Sequence, residues 1–185
     1  MRKTLSALVL LSVLALPAWS ESKSSSSKES KKSVVARGEY LVWVGGCHDC
    51  HSPKAKPGSI EPDRARMLSG RPPSTAPPSK PAGMDEITAS GDLTAWYGPW
   101  GISYTANLTP HPTTGIGKRY NEASFIKAMR TGKKPEGEPI LPPMPWENFA
   151  KMSDGDLKAI WAYLQTLKPV DNFVRAAAPP AQASR

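Results

Sequence analysis

Five consecutive residues carry the most specific chemical signal in this sequence. The run Cys47-His48-Asp49-Cys50-His51 places two thiols three residues apart and a histidine directly after the second thiol. On one turn of helix, two such thiols reach the two vinyl groups of a haem and form thioethers, and the following histidine ligates the iron. We therefore predict that Cys47, Cys50 and His51 bind one covalent haem c. Because His51 would face the haem, the His48 side chain is expected to point away from it into solvent.

Other uses of the two cysteines are less well supported. A thioredoxin-like redox pair needs a strand-helix-strand context, whereas a loop with proline and glycine follows this motif. A zinc site made of the motif residues and His111 has no familiar ligand spacing. A disulfide between residues three positions apart closes a very small loop and stabilises little. With two cysteines in 185 residues, a scaffold of several disulfides and a four-thiolate zinc site are excluded.

The second iron ligand would distinguish an electron carrier from a protein that binds small molecules. A methionine thioether in the sixth position closes the iron to other ligands and raises its reduction potential. Met144 is the candidate, because residues 141–146 surround it with three prolines, and a rigid, extended backbone suits a weak ligand. Met129 and Met152 are assigned to packing. The alternatives that remain open are Met67, Met84 and His111.

Three helices are expected to position these residues. The first covers residues 34–46 and precedes the motif. The second runs from an Asn121 cap to a stop at Gly132. The last begins at a Ser153 cap and ends at Pro169, and its apolar stripe must be buried against another element.

Proline content shapes the connections between these helices. The chain has 20 prolines in 185 residues, about twice the average usage, which makes regular sheet unlikely. Eight of them lie in residues 52–82, which predicts a long loop that is either functional or wrapped around a cofactor. Residues 93–108 have the aromatic and glycine content of a short hairpin.

The two ends of the chain differ from its middle. Residues 1–20 have a short positive start, an apolar run and a small-residue cleavage site, which predicts a secretory signal peptide and a periplasmic protein. Residues 21–33 are rich in Ser and Lys and are interpreted as a disordered tether. The haem domain is predicted over residues 34–174 and a flexible tail over 175–185. The net charge of +8 is partly outside that domain and shows no basic stripe, so neither nucleic acid binding nor a membrane span in the mature chain is expected.

Several further motifs lie before and after Cys47–His51 in a fixed order. Together they resemble the class I c-type cytochromes, and more closely the monohaem cytochrome subunits or domains of periplasmic dehydrogenases. The resemblance covers about residues 37–172. It rests on Gly38-Glu39-Tyr40-Leu41, Tyr97-Gly98-Pro99-Trp100-Gly101, Asn107-Leu108-Thr109-Pro110, Thr114-Gly115-Ile116-Gly117 and Pro142-Pro143-Met144-Pro145.

This resemblance implies an all-α class I cytochrome c fold, with three to five helices around one covalent haem and long proline-rich loops. It implies that Met144 is the distal ligand. It also implies that the backbone carbonyl of Pro53, or alternatively of Pro57, accepts a hydrogen bond from the His51 ring. Asn107 and Thr109 would lie near the haem edge. In the helices, the resemblance implies contacts of two first-helix residues with three residues of the last helix: Gly38 and Tyr40 with Trp161, Tyr163 and Leu164.

The sequence departs from the family pattern at two places. His111 stands where many relatives have an acidic residue after the Thr-Pro pair, and residues 71–81 have no clear family counterpart. The first departure argues against an acidic role at this position, and residues 71–81 are interpreted as an insertion.

The implied function is single-electron transfer between redox proteins and not catalysis. The expected partners are a dehydrogenase as donor and an oxidase or another cytochrome as acceptor. Two alternatives stay open. One is a five-coordinate haem c sensor or peroxidase-like protein, and the other is an obligate cytochrome subunit of a dehydrogenase complex.

Overall fold

The structure is a computed structural model that describes residues 30–79 and 86–179. The predicted signal peptide, most of the predicted tether and Met84 lie outside the described residues. The elements follow in the order α1 (Lys31–Val44), α2 (Cys47–His51), a 3-10 helix (Arg64–Arg66), β1 (Thr88–Ala89), β2 (Ala95–Gly98), β3 (Gly101–Tyr104), α3 (Ile116–Arg119), α4 (Glu122–Thr131), α5 (Trp146–Phe149) and α6 (Asp154–Leu164).

The prediction of an all-α fold with three to five helices is wrong. Six helices occur among the described residues, and β1, β2 and β3 form an antiparallel sheet in that order. The β2–β3 pair confirms the hairpin expected within residues 93–108, with Gly98 opposite Gly101 at its turn. The proline content argued against a sheet, and strands of two to four residues are too short to show the alternating apolar pattern that would have indicated one.

Helices α1 and α6 pack closely against each other. A Cβ at Gly38 would lie 1.9 Å from the carbonyl oxygen of Ala159 and 2.8 Å from Cβ of Tyr163, so a side chain at this position would separate the helices. This confirms the predicted contact of Gly38 with the last helix. The contact expected for Tyr40 stays a prediction: its side chain is 55% exposed, whereas its neighbours Leu41 and Val42 are buried.

The helix ends follow the expected capping in part. Asn121 and Ser124 form a complete capping box before α4, and Gly132 ends that helix in the left-handed conformation. Ser153 caps α6 by accepting a hydrogen bond from Asp156 N–H. Helix α6 ends at Leu164, earlier than the predicted stop at Pro169, and α1 begins at Lys31, three residues before the predicted start.

The core is formed mainly by α1, α4 and α6 together with single residues from the loops. Its buried members are Leu41, Val42, Leu68, Ile116, Phe125, Ala128, Met129, Phe149, Leu157, Ala159, Ile160, Tyr163 and Leu164. Cys47 and Met144 are half-buried and both pack against this cluster. Across residues 30–79 and 86–179, no helix is long and apolar enough to cross a membrane.

Candidate functional site

The helix α2 brings together the three residues predicted to hold a haem. Gly46, in the left-handed conformation at φ 67°, separates it from α1 and lets the chain begin a new helical turn at Cys47. Cys47 and Cys50 are free thiols on that turn, half-buried, and His51 is its last residue. Burial raises the pKa of Cys47 to about 11 and also raises the pKa of Cys50, so both thiols are protonated at neutral pH.

The His51 ring is oriented by a distant backbone carbonyl. Its Nδ1 lies 2.8 Å from the carbonyl oxygen of Ala106 and donates a hydrogen bond to it. The proton is therefore on Nδ1 and the lone pair on Nε2, which has no hydrogen bond among the described residues. Burial lowers the pKa of His51 and favours the neutral ring, the form that ligates metals.

The predicted partner of His51 was wrong. The carbonyl of Pro53 accepts a hydrogen bond from Asp63 N–H at 2.8 Å instead. Ala106 is 55 residues from His51 in sequence, so no local pattern could have indicated it. The nearby motif residues Asn107 and Thr109 are buried, and Oδ1 of Asn107 accepts hydrogen bonds from the Thr109 backbone N–H and hydroxyl.

Gly70 joins the motif helix to the segment that carries this carbonyl. Its N–H donates to the carbonyl of His51 at 2.8 Å. Its φ is 78°, and an added Cβ would lie 2.7 Å from backbone atoms of Thr105, Ala106 and Asn107. Only glycine allows this approach, which sets the distance between His51 and its hydrogen-bond acceptor.

A segment after α6 braces the same region from the other side. Asn172 Nδ2 donates to the carbonyls of Ser69 and Arg71, at 2.7 and 2.9 Å, and Asn107 Nδ2 donates to the carbonyl of Val170 at 2.9 Å. The residues on either side of Gly70 and the residue after Ala106 are therefore fixed by the same short segment. Sequence reasoning gave Asn172 no role.

His48 is buried, which corrects the prediction that it is solvated. Its side chain is 3% exposed, its ring centroid lies 4.0 Å from that of Trp43, and Nδ1 is 2.9 Å from the hydroxyl of Ser52. Ser52 also accepts a hydrogen bond from Leu68 N–H, so this pair ties the motif helix to the next loop. Burial lowers the pKa of His48 to about 4. Trp43, five residues earlier, was the available signal that the histidine has an aromatic neighbour.

Met144 lies in a turn that the hairpin supports. The Met144 N–H donates to the carbonyl of Leu141 at 3.3 Å, and its own carbonyl accepts from Trp146 N–H at 2.9 Å. The hydroxyl of Ser103, in β3, donates to the carbonyl of Pro142 at 2.6 Å. Among the other methionines, Met129 is buried in the core and Met152 is half-buried against it, as predicted.

The zinc alternative has no structural support in the part of the chain that the structure describes. There, no group of three or more His, Cys, Asp and Glu side chains is arranged to hold a metal ion. His111, its fourth proposed ligand, accepts a hydrogen bond at Nδ1 from Thr114 N–H and lies within hydrogen-bond distance of the Thr114 hydroxyl.

Comparison with known proteins bears on the same residues. The chain is 32% identical over 157 residues to the gluconate 2-dehydrogenase cytochrome c subunit of Pantoea cypripedii, covering 85% of this chain and 26% of that protein. It is 30% identical over 145 residues to the cytochrome c subunit of the alcohol dehydrogenase (quinone) of Gluconobacter oxydans strain 621H, covering 78% and 24%. The chain is a homologue of cytochrome c subunits. A Diheme cytochrome c-type protein of Cereibacter sphaeroides is 27% identical over 137 residues, covering 74% of this chain and 37% of that protein.

These matches confirm the resemblance to c-type cytochromes that the sequence motifs predicted. No protein-family model matches the chain. The chain spans about a quarter of the length of the dehydrogenase subunits that it matches. The similarity supports electron transfer by a cytochrome subunit and implies covalently bound haem c.

The described residues of this chain provide the groups that a covalent haem c needs. Two free thiols lie on one helical turn, and the adjacent histidine has one ring nitrogen anchored and the other without a protein partner in the described ranges. This donor set is the one that haem c requires.

Proposed function

We propose that this protein is an exported monohaem c-type cytochrome that carries single electrons between redox proteins. Cys47 and Cys50 would attach the haem, and His51 and Met144 would be its axial ligands. The observation that carries the proposal is the His51 ring, whose Nδ1 is fixed by Ala106 while Nε2 is left free beside two free thiols.

When bound, the haem supplies the cycling between Fe(III) and Fe(II). The chain contributes position and electrostatics. The Ala106 carbonyl keeps the proton on Nδ1 of His51, which fixes the ring orientation and makes Nε2 a better donor. The thioether of Met144 is a weaker donor than an imidazole, so a His/Met pair raises the reduction potential and closes the sixth position.

The export and the partners belong to the same proposal. Residues 1–20 read as a signal peptide, and haem attachment through two thiols suits the periplasm. We propose a dehydrogenase as electron donor and an oxidase or another cytochrome as acceptor. The dehydrogenase is supported by the names of relatives, among them the fructose dehydrogenase cytochrome subunit of Gluconobacter japonicus, 30% identical over 138 residues.

A second candidate is a cytochrome that acts only inside a dehydrogenase complex. It is favoured by the fact that several relatives are named as subunits. Size-exclusion chromatography of the native protein separates the two: co-elution with a dehydrogenase activity supports the subunit, and elution as a single small protein supports a free carrier.

The attachment test uses protein matured in a host that attaches haem c. The unmodified protein should keep a haem peroxidase stain on a denaturing gel, and Cys47→Ala/Cys50→Ala should lose it, because thioethers are the only bonds that survive denaturation. The matched control is Ser59→Ala, a substitution of a half-buried serine outside the motif. Stain that washes out of the unmodified protein contradicts the proposal. Ready binding of carbon monoxide to the ferrous protein would instead favour the five-coordinate sensor or peroxidase-like alternative.

A further inference from the structure

Arg71 is a buried cation with unsatisfied hydrogen-bonding capacity. Arg71 is 8% exposed, and its Nε atom has no hydrogen-bond partner in the described part of the chain. One terminal nitrogen donates to the carbonyl of Thr75, and the guanidinium lies 4.9 Å from the ring centroid of Tyr104. None of the ion pairs within residues 30–79 and 86–179 includes Arg71.

Burying an arginine without an anionic partner is costly, because neither a carbonyl nor an aromatic ring replaces the hydration of a full charge. Guanidinium groups in such places usually receive a carboxylate or a phosphate, and the fork of donors favours two parallel hydrogen bonds. The position of Arg71 therefore indicates a missing anionic group.

The backbone of Arg71 is fixed beside the segment that orients His51. Its N–H donates to the carbonyl of Thr105 at 3.1 Å, and the next residue after Thr105 is Ala106, the acceptor for the His51 ring. The residue before Arg71 is Gly70, which donates to the His51 carbonyl. The Arg71 carbonyl is held by Asn172 at 2.9 Å. Arg71 therefore belongs to the same hydrogen-bonded backbone segments that orient His51, next to the place where a cofactor ligated by His51 would bind.

We propose that Arg71 binds a haem carboxylate, that is, one of the two propionates of the haem assigned to Cys47, Cys50 and His51. The inference rests on the proposed function. It also gives the proline-rich stretch from residue 71 a role: the Thr75 carbonyl holds the guanidinium from one side while the ring of Tyr104 covers it from another.

A free anion is the competing source of the same chemistry. Arg71 lines a surface cleft together with Asn172 and the exposed Arg175, so a small carboxylate or a phosphate could enter there. The propionate is the better assignment, because the haem that carries it is covalently attached and cannot dissociate. A free anion would leave the buried cation without a counterion whenever it dissociated.

The two sources differ in their effect on the reduction potential. A guanidinium next to a propionate keeps that carboxylate ionised in both oxidation states, so this propionate should not make the potential vary between pH 5 and 8. It also favours the ferrous haem, which has one positive charge less than the ferric haem. Arg71→Gln should therefore lower the potential and make it fall with rising pH, because the propionate then takes up a proton on reduction.

The experiment measures the potential of the haem-loaded protein from pH 5 to 8 for the unmodified protein, Arg71→Gln, Arg71→Lys and Arg175→Gln. Arg71→Gln should keep the covalent haem while shifting the potential down, and Arg71→Lys should shift it less, since the charge stays and the fork is lost. Arg175→Gln is the matched control, because its guanidinium lines the same cleft but is exposed, and its potential should not move.

Each remaining outcome overturns the inference. It fails if whichever Arg71 variant folds has the unmodified potential and pH profile. It also fails if added phosphate or acetate lowers the potential of the unmodified protein but not of Arg71→Gln, which assigns Arg71 to a free anion. Absence of covalent haem in the unmodified protein would instead refute the proposed function, so the two failures are distinguishable.

Discussion

The surroundings of His51 and of Met144 are built in different ways. His51 is the last residue of a helix. Its carbonyl accepts a hydrogen bond from Gly70 N–H, and its ring donates one to the carbonyl of Ala106, so backbone from distant parts of the chain holds both groups. Met144 sits in a turn whose adjoining prolines, Pro142, Pro143 and Pro145, are exposed, and whose main long-range hydrogen bond comes from the Ser103 hydroxyl. Hydrogen bonds from distant backbone segments therefore hold the His51 site, whereas mainly one side-chain hydrogen bond connects the Met144 turn to the hairpin.

This difference predicts how substitutions will act. Around His51 the same atoms that orient the ring also join three segments, so a change there should lower the stability of the whole domain. Around Met144 fewer hydrogen bonds come from distant segments, and a change should alter the ligand more than the fold. The predictions below run from the largest expected effect to the smallest.

Gly70→Ala should cost the most. The new Cβ would lie 2.7 Å from three backbone atoms at a φ of 78°, so the segment carrying Ala106 must move away from His51. We expect the free energy of unfolding to fall by about 3 kcal/mol or more, measured by urea denaturation of the haem-loaded protein.

Gly58→Ala is the matched control for this substitution. Its φ is 75°, and nothing lies within 4 Å of an added Cβ, so only the backbone penalty of about 1 kcal/mol applies. Equal losses in the two variants would show that the close approach at Gly70 does not matter.

His48 should make the stability of the domain depend on pH. The folded protein holds the pKa near 4 by burial, aided by the charge of Lys54 and opposed by that of Asp49, whereas the unfolded chain has the ordinary value of 6.5. As the pH falls from 6.5 to 4, the unfolded state gains a proton that the folded state does not. The free energy of unfolding should therefore drop by up to about 3 kcal/mol by pH 4.

The comparison variant is His48→Gln, which cannot take up this proton. Its urea midpoint should vary less between pH 6.5 and 4 than that of the unmodified protein, although it is lower at neutral pH because the Trp43 contact is weakened. Parallel pH profiles for the two proteins would mean that His48 is not buried as described.

Ser103→Ala should have the smallest effect on stability and a visible effect on the distal turn. It removes the part-buried hydrogen bond to the Pro142 carbonyl and the one that this hydroxyl accepts from Trp100 Nε1, so the loss is about 1 to 2 kcal/mol. If Met144 ligates the iron, a looser turn should let imidazole displace it about fivefold more readily, read from spectral titration of the ferric protein. Ser59→Ala, half-buried and in another loop, should leave the imidazole affinity unchanged; a similar gain there would refute the link between the hairpin and this turn.

What the sequence predicted well is local. The helical turn that carries Cys47, Cys50 and His51, the Asn121 cap of α4 and the hairpin each depend on residues within about ten positions of one another. What it missed depends on contacts between distant segments: the acceptor of His51 is 55 residues away, and Asn172 reaches back about 100 residues to the carbonyls beside Gly70. His48 was missed because α1 and α2 meet at a sharp glycine turn, which folds Trp43 over a side chain that a single continuous helix would leave in solvent.

The most direct test of the account is the near-infrared sulfur-to-iron band of the oxidised, haem-loaded protein in Met144→Ala, beside Met152→Ala as the control methionine. The account predicts that Met144→Ala keeps its covalent haem, loses the band and binds carbon monoxide or imidazole, while Met152→Ala keeps the band. Met144→His should stay six-coordinate at a lower potential, because imidazole is the better donor to Fe(III). A Met144→Ala protein that retains both the band and the potential of the unmodified protein would contradict the assignment of Met144 and the His/Met haem at the centre of this account.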